Sequence, residues 1–176
     1  MLRLANSAAA FALILCACST KRASAPEPPP PEWVHPASGA RFIPPGDGWS
    51  GTVEGKDGLL VRVERAGCIG EIRAFEGPND YAAAKSLASK ASKRLVADGH
   101  AINQDRKLLF SGETGHRLEV QQADGDKTHA QRLTWWPVGE RLFELRAVAQ
   151  IGVSTEARRC LDTITLSFDF TVPRRK

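Results

Sequence analysis

Histidine and cysteine are the residue types with which this sequence could bind a metal ion or form a covalent bond. The 176-residue chain contains four of each. His35, His100, His116 and His129 lack the HExxH or HxxxH spacing that places two ligands on one helix face. His116 and His129 flank Asp124-Gly125, so on a hairpin they could meet as a zinc pair. We favour isolated surface histidines, and we expect neither a metal site nor a cofactor.

Two glycine-containing segments are similar to catalytic or phosphate-binding loops. In Gly48-Trp49-Ser50-Gly51 the second glycine comes one residue too early for the G-x-S-x-G motif of hydrolases. The GETG sequence at residues 112–115 lacks the GK[ST] ending of a phosphate loop and is interpreted as a turn. The sequence therefore predicts no catalytic residues and a protein that is not an enzyme.

Residues 1–17 have the composition of a secretory signal peptide. A single basic residue, Arg3, precedes an apolar run over residues 8–17. This run is about half of the roughly 20 residues that a helix needs to cross a bilayer. We therefore expect a cleaved signal rather than a permanent membrane span.

The sequence Leu15-Cys16-Ala17-Cys18 resembles the lipobox of bacterial lipoproteins, in which a small residue precedes an invariant cysteine. The resemblance implies cleavage before Cys18, lipidation of Cys18 and attachment to a membrane through its acyl chains. Ser19 is not the aspartate that retains lipoproteins in the inner membrane, so in a Gram-negative cell the resemblance implies an outer-membrane protein facing the periplasm. The alternative is an ordinary secreted protein whose signal ends in cysteines.

Cys68 and Cys160 remain once Cys16 leaves with the signal and Cys18 carries the lipid. Two thiols in an oxidising compartment favour one disulfide, which would close a loop of about 90 residues. The alternative is two free buried cysteines.

The distribution of charge and proline indicates how the chain is organised. The formal net charge is +4, and basic residues alternate with acidic ones through most of the chain, so we expect no nucleic-acid partner. Residues 18–38 are rich in proline and predict a flexible tether behind the lipidated cysteine. One domain is expected over residues 39–172, followed by a basic tail at 173–176.

The hydrophobic pattern predicts an α+β domain. An amphipathic helix should begin after Asn79-Asp80 and end at Gly99. Two strands should pair across Ala66-Gly67, and a later hairpin should turn at Asp124-Gly125. The other predicted elements are a meander of strands at 101–110, 115–122, 127–136 and 141–150, a short helix at 154–163 and a final strand at 164–171.

The order of these elements resembles the PsbP-like fold of photosystem extrinsic subunits and bacterial DcrB-like lipoproteins. The local likeness lies in residues 41–49, with the sequence RFIPPGDGW, and the resemblance would cover nearly all of residues 39–172. It implies an antiparallel β-sheet flanked by two helices, in proteins that mostly bind or scaffold. It brings no set of catalytic residues.

Trp135 and Trp136 are neighbours on a predicted strand, so their side chains must point to opposite faces of the sheet. One indole could therefore form a binding surface, or a helix on each face could bury both. Our leading hypothesis is a lipid-anchored, non-catalytic protein that binds another envelope protein. The alternative is an envelope hydrolase or small-ligand-binding protein with a pocket that no sequence motif indicates.

Overall fold

The computed structural model describes residues 32–110, 112–124, 127–152 and 154–170. In this part of the chain, five strands precede the first helix, four lie between the two helices and one follows the second. The strands are β1 Trp33–Val34, β2 Ala40–Phe42, β3 Ser50–Val53, β4 Leu59–Arg65, β5 Cys68–Phe75, β6 Ala101–Phe110, β7 Glu113–Asp124, β8 Lys127–Val138, β9 Arg141–Ala149 and β10 Phe168–Phe170, and the helices are α1 Tyr81–Ala97 and α2 Thr155–Ser167.

The strands form two antiparallel sheets. Seven strands lie in the order β3-β4-β5-β9-β8-β7-β6, and three lie in the order β1-β2-β10. The helices pack on opposite faces of the larger sheet. The predicted α+β fold, with an antiparallel sheet flanked by two helices, is therefore confirmed.

Local signals in the sequence set several of these boundaries. The Asp80 side chain accepts a hydrogen bond from the Ala83 N–H at 2.8 Å and caps α1. The helix ends before Gly99, whose φ of +83° is a left-handed conformation that favours glycine. Ala66 and Gly67 form the predicted turn between β4 and β5, with positive φ at both residues.

The predicted meander also forms. Strands β6 to β9 pair in sequence, and Leu118 lies opposite Leu133 in the hairpin between β7 and β8. Residues 125 and 126 of the connecting turn lie outside the described residues, so the predicted turn at Asp124-Gly125 is not tested at its tip.

The prediction of a short helix at 154–163 and a strand at 164–171 was wrong. Helix α2 continues to Ser167, and the strand that follows has only three residues. The alternating apolar residues of this segment also fit a helical repeat, in which Ile164 is buried one turn after Leu161 while Leu166 faces solvent. The Thr165 hydroxyl donates to the Leu161 carbonyl at 2.6 Å, so its polar group is satisfied inside the helix.

The folded domain begins earlier than predicted. Trp33 and Val34, assigned from sequence to the tether, pair with Phe42 and Arg41 of β2. The Trp33 ring packs so closely on Gly51 that a Cβ at position 51 would lie 2.7 Å from it. Residues 33–38 therefore belong to the domain, because β1 buries an aromatic ring against β3.

Each face of the larger sheet has its own apolar core. The core beneath α2 includes Trp136, Phe143 and Trp49. The core beneath α1 includes Trp135 and Leu118. Alternation along each strand divides the apolar side chains between these two layers.

A buried arginine joins α2 to the sheet. Arg132 of β8 donates from Nε to Glu119 at 2.9 Å, and from Nη1 to Asp162 at 2.8 Å and to the Thr165 hydroxyl at 3.2 Å. Beside it, burial and the positive charge of Arg132 lower the pKa of Arg117 to about 10. The ionic network thus fixes the position of the helix on the strands.

Cys68 at the start of β5 and Cys160 in α2 form a disulfide, as the sequence predicts. Their Cα atoms are 5.7 Å apart, although the residues are 92 positions apart in the chain. This bond and the Arg132 network attach the same helix to two different strands.

We predict that Arg132→Met lowers the free energy of unfolding by about 2–4 kcal/mol, because it leaves the Glu119 and Asp162 carboxylates without their shared cation. Urea unfolding monitored by circular dichroism measures this change. Arg159→Met is the matched control, since Arg159 is an exposed arginine of α2. Equal losses in the two variants would show that the network does not hold α2 in place.

Candidate binding cleft

Helix α1 covers only part of one face of the larger sheet. It packs on β6, β7 and β8 and reaches Leu142 at the start of β9, and it leaves most of the same face of β5 and β4 uncovered. A cleft of about 790 Å³ lies along this boundary, with α1 as one wall and the strands as its floor. We call it the α1 cleft. It is lined by Arg73, Phe75, Leu87, Lys90, Ala91, Arg94, Leu95, Asp98, His100, Gln122, Gln131, Leu133, Trp135, Glu144 and Arg146.

Basic side chains outnumber acidic ones in this lining. Four are basic, with two on α1 and two on the sheet, and two are acidic. The basic members are Arg73, Lys90, Arg94 and Arg146, and the acidic members are Asp98 and Glu144. Because the cleft has low-dielectric walls on two sides, this excess favours negatively charged groups.

A buried carboxylate organises the arginines beside the cleft. Glu71 of β5 accepts a hydrogen bond from Arg62 Nη1 at 2.6 Å, and its other oxygen lies 3.5 Å from Arg73 and 3.6 Å from Arg146. One carboxylate therefore lies within ion-pair distance of three guanidinium groups, and it is hydrogen-bonded to that of Arg62. It neutralises only one of their charges.

Glu144 lies deeper in the cleft, where burial raises the pKa of its carboxyl above the usual value of 4.5. A hydrogen bond from Trp135 Nε1, at 2.7 Å, and the positive charges of Arg73, Arg146 and Arg94 oppose that rise. Burial outweighs these favourable contacts. The carboxyl of Glu144 therefore gains a proton at a higher pH than an ordinary glutamate does.

Two buried nitrogen atoms of the lining have no hydrogen-bond partner among the described residues: Arg146 Nε and His100 Nδ1. Buried polar atoms are normally hydrogen-bonded, so such atoms need an explanation. Arg146 Nε is a donor, and an acceptor entering the cleft would satisfy it. The lining includes no serine, threonine or cysteine side chain. The arrangement is suited to binding anionic groups.

Neither Trp135 nor Trp136 forms an exposed surface, although Trp135 is among the residues that line the α1 cleft. Their side chains do point to opposite faces, but both are buried, at 1% and 0% exposure. Trp135 is covered by α1, and Trp136 packs among Phe110, Phe143 and Phe170 on the other face. Each face has its own helix, so neither ring remains free.

The two histidines of the hairpin are not brought together. His116 lies opposite Trp135, whereas His129 lies opposite Gln122, so six positions of β7, about 20 Å, separate them. They cannot form the zinc pair. No group of three or more histidine, cysteine or acidic residues with metal-binding geometry occurs within the described ranges.

His116 instead belongs to a buried polar chain that the sequence did not reveal. Its Nε2 lies 2.5 Å from Asp105 of β6, and its Nδ1 lies 3.4 Å from the Tyr81 hydroxyl of α1. Lys107 lies over the Tyr81 ring at 5.1 Å. These contacts join the edge strand to the start of α1. Tyr81 and Asp105 lie 35 and 11 positions from His116 in the sequence, and no spacing rule links a strand pair to a helix N-terminus.

Searches by sequence find no counterpart: no protein-family model matches the chain, and no curated protein matches it. In the part of the chain that the structure describes, no helix is long and apolar enough to cross a membrane. Comparison of structures is more informative.

The chain is similar in structure to cyanobacterial PsbP (CyanoP) from Synechocystis sp. PCC 6803. The TM-score is 0.61 and the identity 14%, with coverage of 80% of this chain and 91% of that chain. It is also similar to a protein from Bacteroides thetaiotaomicron VPI-5482, with a TM-score of 0.56 and 12% identity. That match covers 84% of this chain and 51% of the other, so this chain spans about half of that protein. At such identities the likeness shows the fold alone: this chain has a PsbP-like fold.

Proposed function

We propose that this chain is a non-catalytic binding protein, anchored in a bacterial envelope through lipid at Cys18, that holds an acidic segment of another envelope protein in the α1 cleft. The observation that carries the binding role is the half-covered sheet face with its excess of basic side chains. The fold likeness supports a scaffold of this kind but assigns no function.

A protein segment fits the cleft because the site is open along one side. Beyond Arg73 and Arg146 the floor continues over the uncovered strands to Arg62 and Glu64, which are themselves ion-paired at 3.7 Å. An extended chain can lie along this surface with its carboxylates facing the arginines. Arginine forms two parallel hydrogen bonds with a carboxylate, which gives such contacts direction as well as charge.

The anchor rests on the N-terminal sequence. The run of residues 8–17, the small Ala17 and Cys18 together fit export and lipidation, and Ser19 fits outer-membrane sorting. A tethered domain meets its partners at a high local concentration, so even a moderate affinity suffices for binding.

A small anionic ligand is the second candidate. The volume of about 790 Å³ falls within the range of small-molecule sites, and apolar side chains such as Phe75, Leu87 and Leu133 line part of it. Saturable binding of a small carboxylate or phosphate to the purified protein, with no cross-link to a protein, would favour this candidate.

The anchor is tested by the intact mass of the protein purified from membranes. We expect a chain that begins at Cys18 and carries three acyl chains, and we expect Cys18→Ala to be released from the membrane or to remain uncleaved. An unlipidated mature chain of the wild type would disprove the anchor and leave the cleft untouched.

We predict that Lys90→Gln/Arg94→Gln weakens partner binding by about fivefold or more, because it removes two positive charges from the α1 wall. A photo-crosslinking residue placed at Leu87 in the cleft measures the yield of the protein adduct in intact envelopes. Lys85→Gln/Lys93→Gln is the control, with the same change of charge on exposed positions outside the lining. Equal yields in the two double variants would contradict binding at the cleft.

Glu144 makes the affinity depend on pH. As the pH falls through its raised pKa, the carboxylate gains a proton, the cleft becomes more positive, and an acidic partner is held more tightly. We predict that Glu144→Gln binds more strongly than the wild type at neutral pH, and that the two converge as the pH falls toward 4.5. Cross-link yields at a series of pH values measure the difference between the two proteins, in which titration of the partner cancels. Parallel profiles would show that Glu144 does not control the site.

A further inference from the structure

A second surface, remote from the α1 cleft in the fold, is apolar and exposed. Ile43, Leu109 and Leu166 come from three separate elements and line one groove of about 680 Å³ together with Pro45. The side chains are 41%, 73% and 84% exposed, respectively. We call these four residues the tether-end patch. Exposed apolar side chains that gather at one place mark a contact surface more often than scattered ones do.

We propose that the tether-end patch rests on the lipid bilayer and thereby orients the domain on the membrane. This inference rests on the lipid anchor proposed above. It is independent of what the α1 cleft binds.

The direction of β1 places the patch where the chain enters the domain. Trp33 lies opposite Phe42 and Val34 opposite Arg41, so the chain before Trp33 runs toward Ile43. Consistent with this register, Glu32 lies 3.5 Å from Arg41. The other described terminus leaves from the opposite end of β2, because Phe170 lies opposite Ala40. A lipid anchor at Cys18 would therefore pull on the end of the domain that carries the patch.

The covalent chain limits how far this end can move from the membrane. Fourteen residue steps separate Cys18 from Glu32. At full extension they span at most about 50 Å. The bilayer is thus always within about 50 Å of the point where the chain enters β1, and weak apolar contacts become effective at such local concentrations.

One arginine offsets part of the acidic charge beside the patch. Asp169 lines the groove, and it is ion-paired with Arg41 at 2.7 Å. The same guanidinium also contacts Glu32. One cation offsets only one of these two carboxylates, so a single net negative charge remains beside the patch.

A bilayer fits the patch better than a second copy of the chain. Burying an aliphatic side chain contributes about 1.5–3 kcal/mol, and each Å² of apolar area removed from water contributes about 25 cal/mol. One such side chain therefore removes about 60–120 Å² of apolar area from water. Three such side chains contribute about 300 Å², well below the roughly 800 Å² per partner of a stable interface. A few protruding apolar side chains are sufficient for a tethered protein to dip into the interface of a bilayer.

The test uses the full lipidated protein in vesicles of phosphatidylethanolamine and phosphatidylglycerol, after its mass has confirmed the lipid at Cys18. An environment-sensitive dye is attached at Leu166→Cys, and at Val96→Cys as the control, since Val96 is 58% exposed on α1. The native cysteines at 68 and 160 are joined and do not react. We expect the dye at 166 to shift to the blue and to be quenched by brominated lipid, and the dye at 96 to do neither. We also expect Leu109→Ser to weaken the association of the patch with the vesicle bilayer by about tenfold. We expect Val96→Ser to leave this association unchanged.

Equal emission from the two dyes, in a protein whose lipidation is confirmed, would disprove contact between the tether-end patch and the bilayer. The proposed lipid anchor at Cys18 would not be affected. A blue shift at 166 that depends on protein concentration and persists without vesicles would assign the patch to a second copy and also overturn it. An unlipidated chain would disprove the anchor instead, which the mass reveals before any dye is read.

Discussion

Unequal coverage of the two faces of one sheet is the constraint on which the rest of this structure depends. Helix α2 and the three-stranded sheet pack on one face, whereas α1 lies over β6 to β8 and the start of β9 on the other. The strands beyond α1 must therefore present polar side chains to water on that face and apolar ones on the opposite face. The α1 cleft exists because the covered and uncovered regions meet at a helix wall.

The sequence predicted what depends on local pattern. The cap at Asp80, the turn at Ala66-Gly67 and the strand meander rest on rules that act within a few residues. The segment 164–171 misled because alternating apolar residues satisfy both a strand and the inner face of a helix, and only packing beneath α2 decides between them. Whether Trp135 and Trp136 are covered likewise depends on helices far away in the chain.

The candidate site could not be predicted in the same way. Arg62, Glu71 and Arg146 lie on three strands, and only the register of β4, β5 and β9 places them in one row. In the sequence each resembles an ordinary solvent-facing residue of an alternating strand. The burial of Glu144 could not be predicted from the sequence either, because it is produced by α1, which packs on the sheet from another part of the chain.

The smallest strand has a mechanical consequence. If the domain is tethered through its N-terminus, tension reaches β1 first, and β1 is held by pairing at only two residues and by the Trp33 ring against Gly51. Strand β1 lies in the three-stranded sheet, which does not carry the α1 cleft. It can peel away and lengthen the tether while the larger sheet stays intact. Under such tethering, loss of β1 would lengthen the chain outside the domain before the strands that line the α1 cleft come under tension.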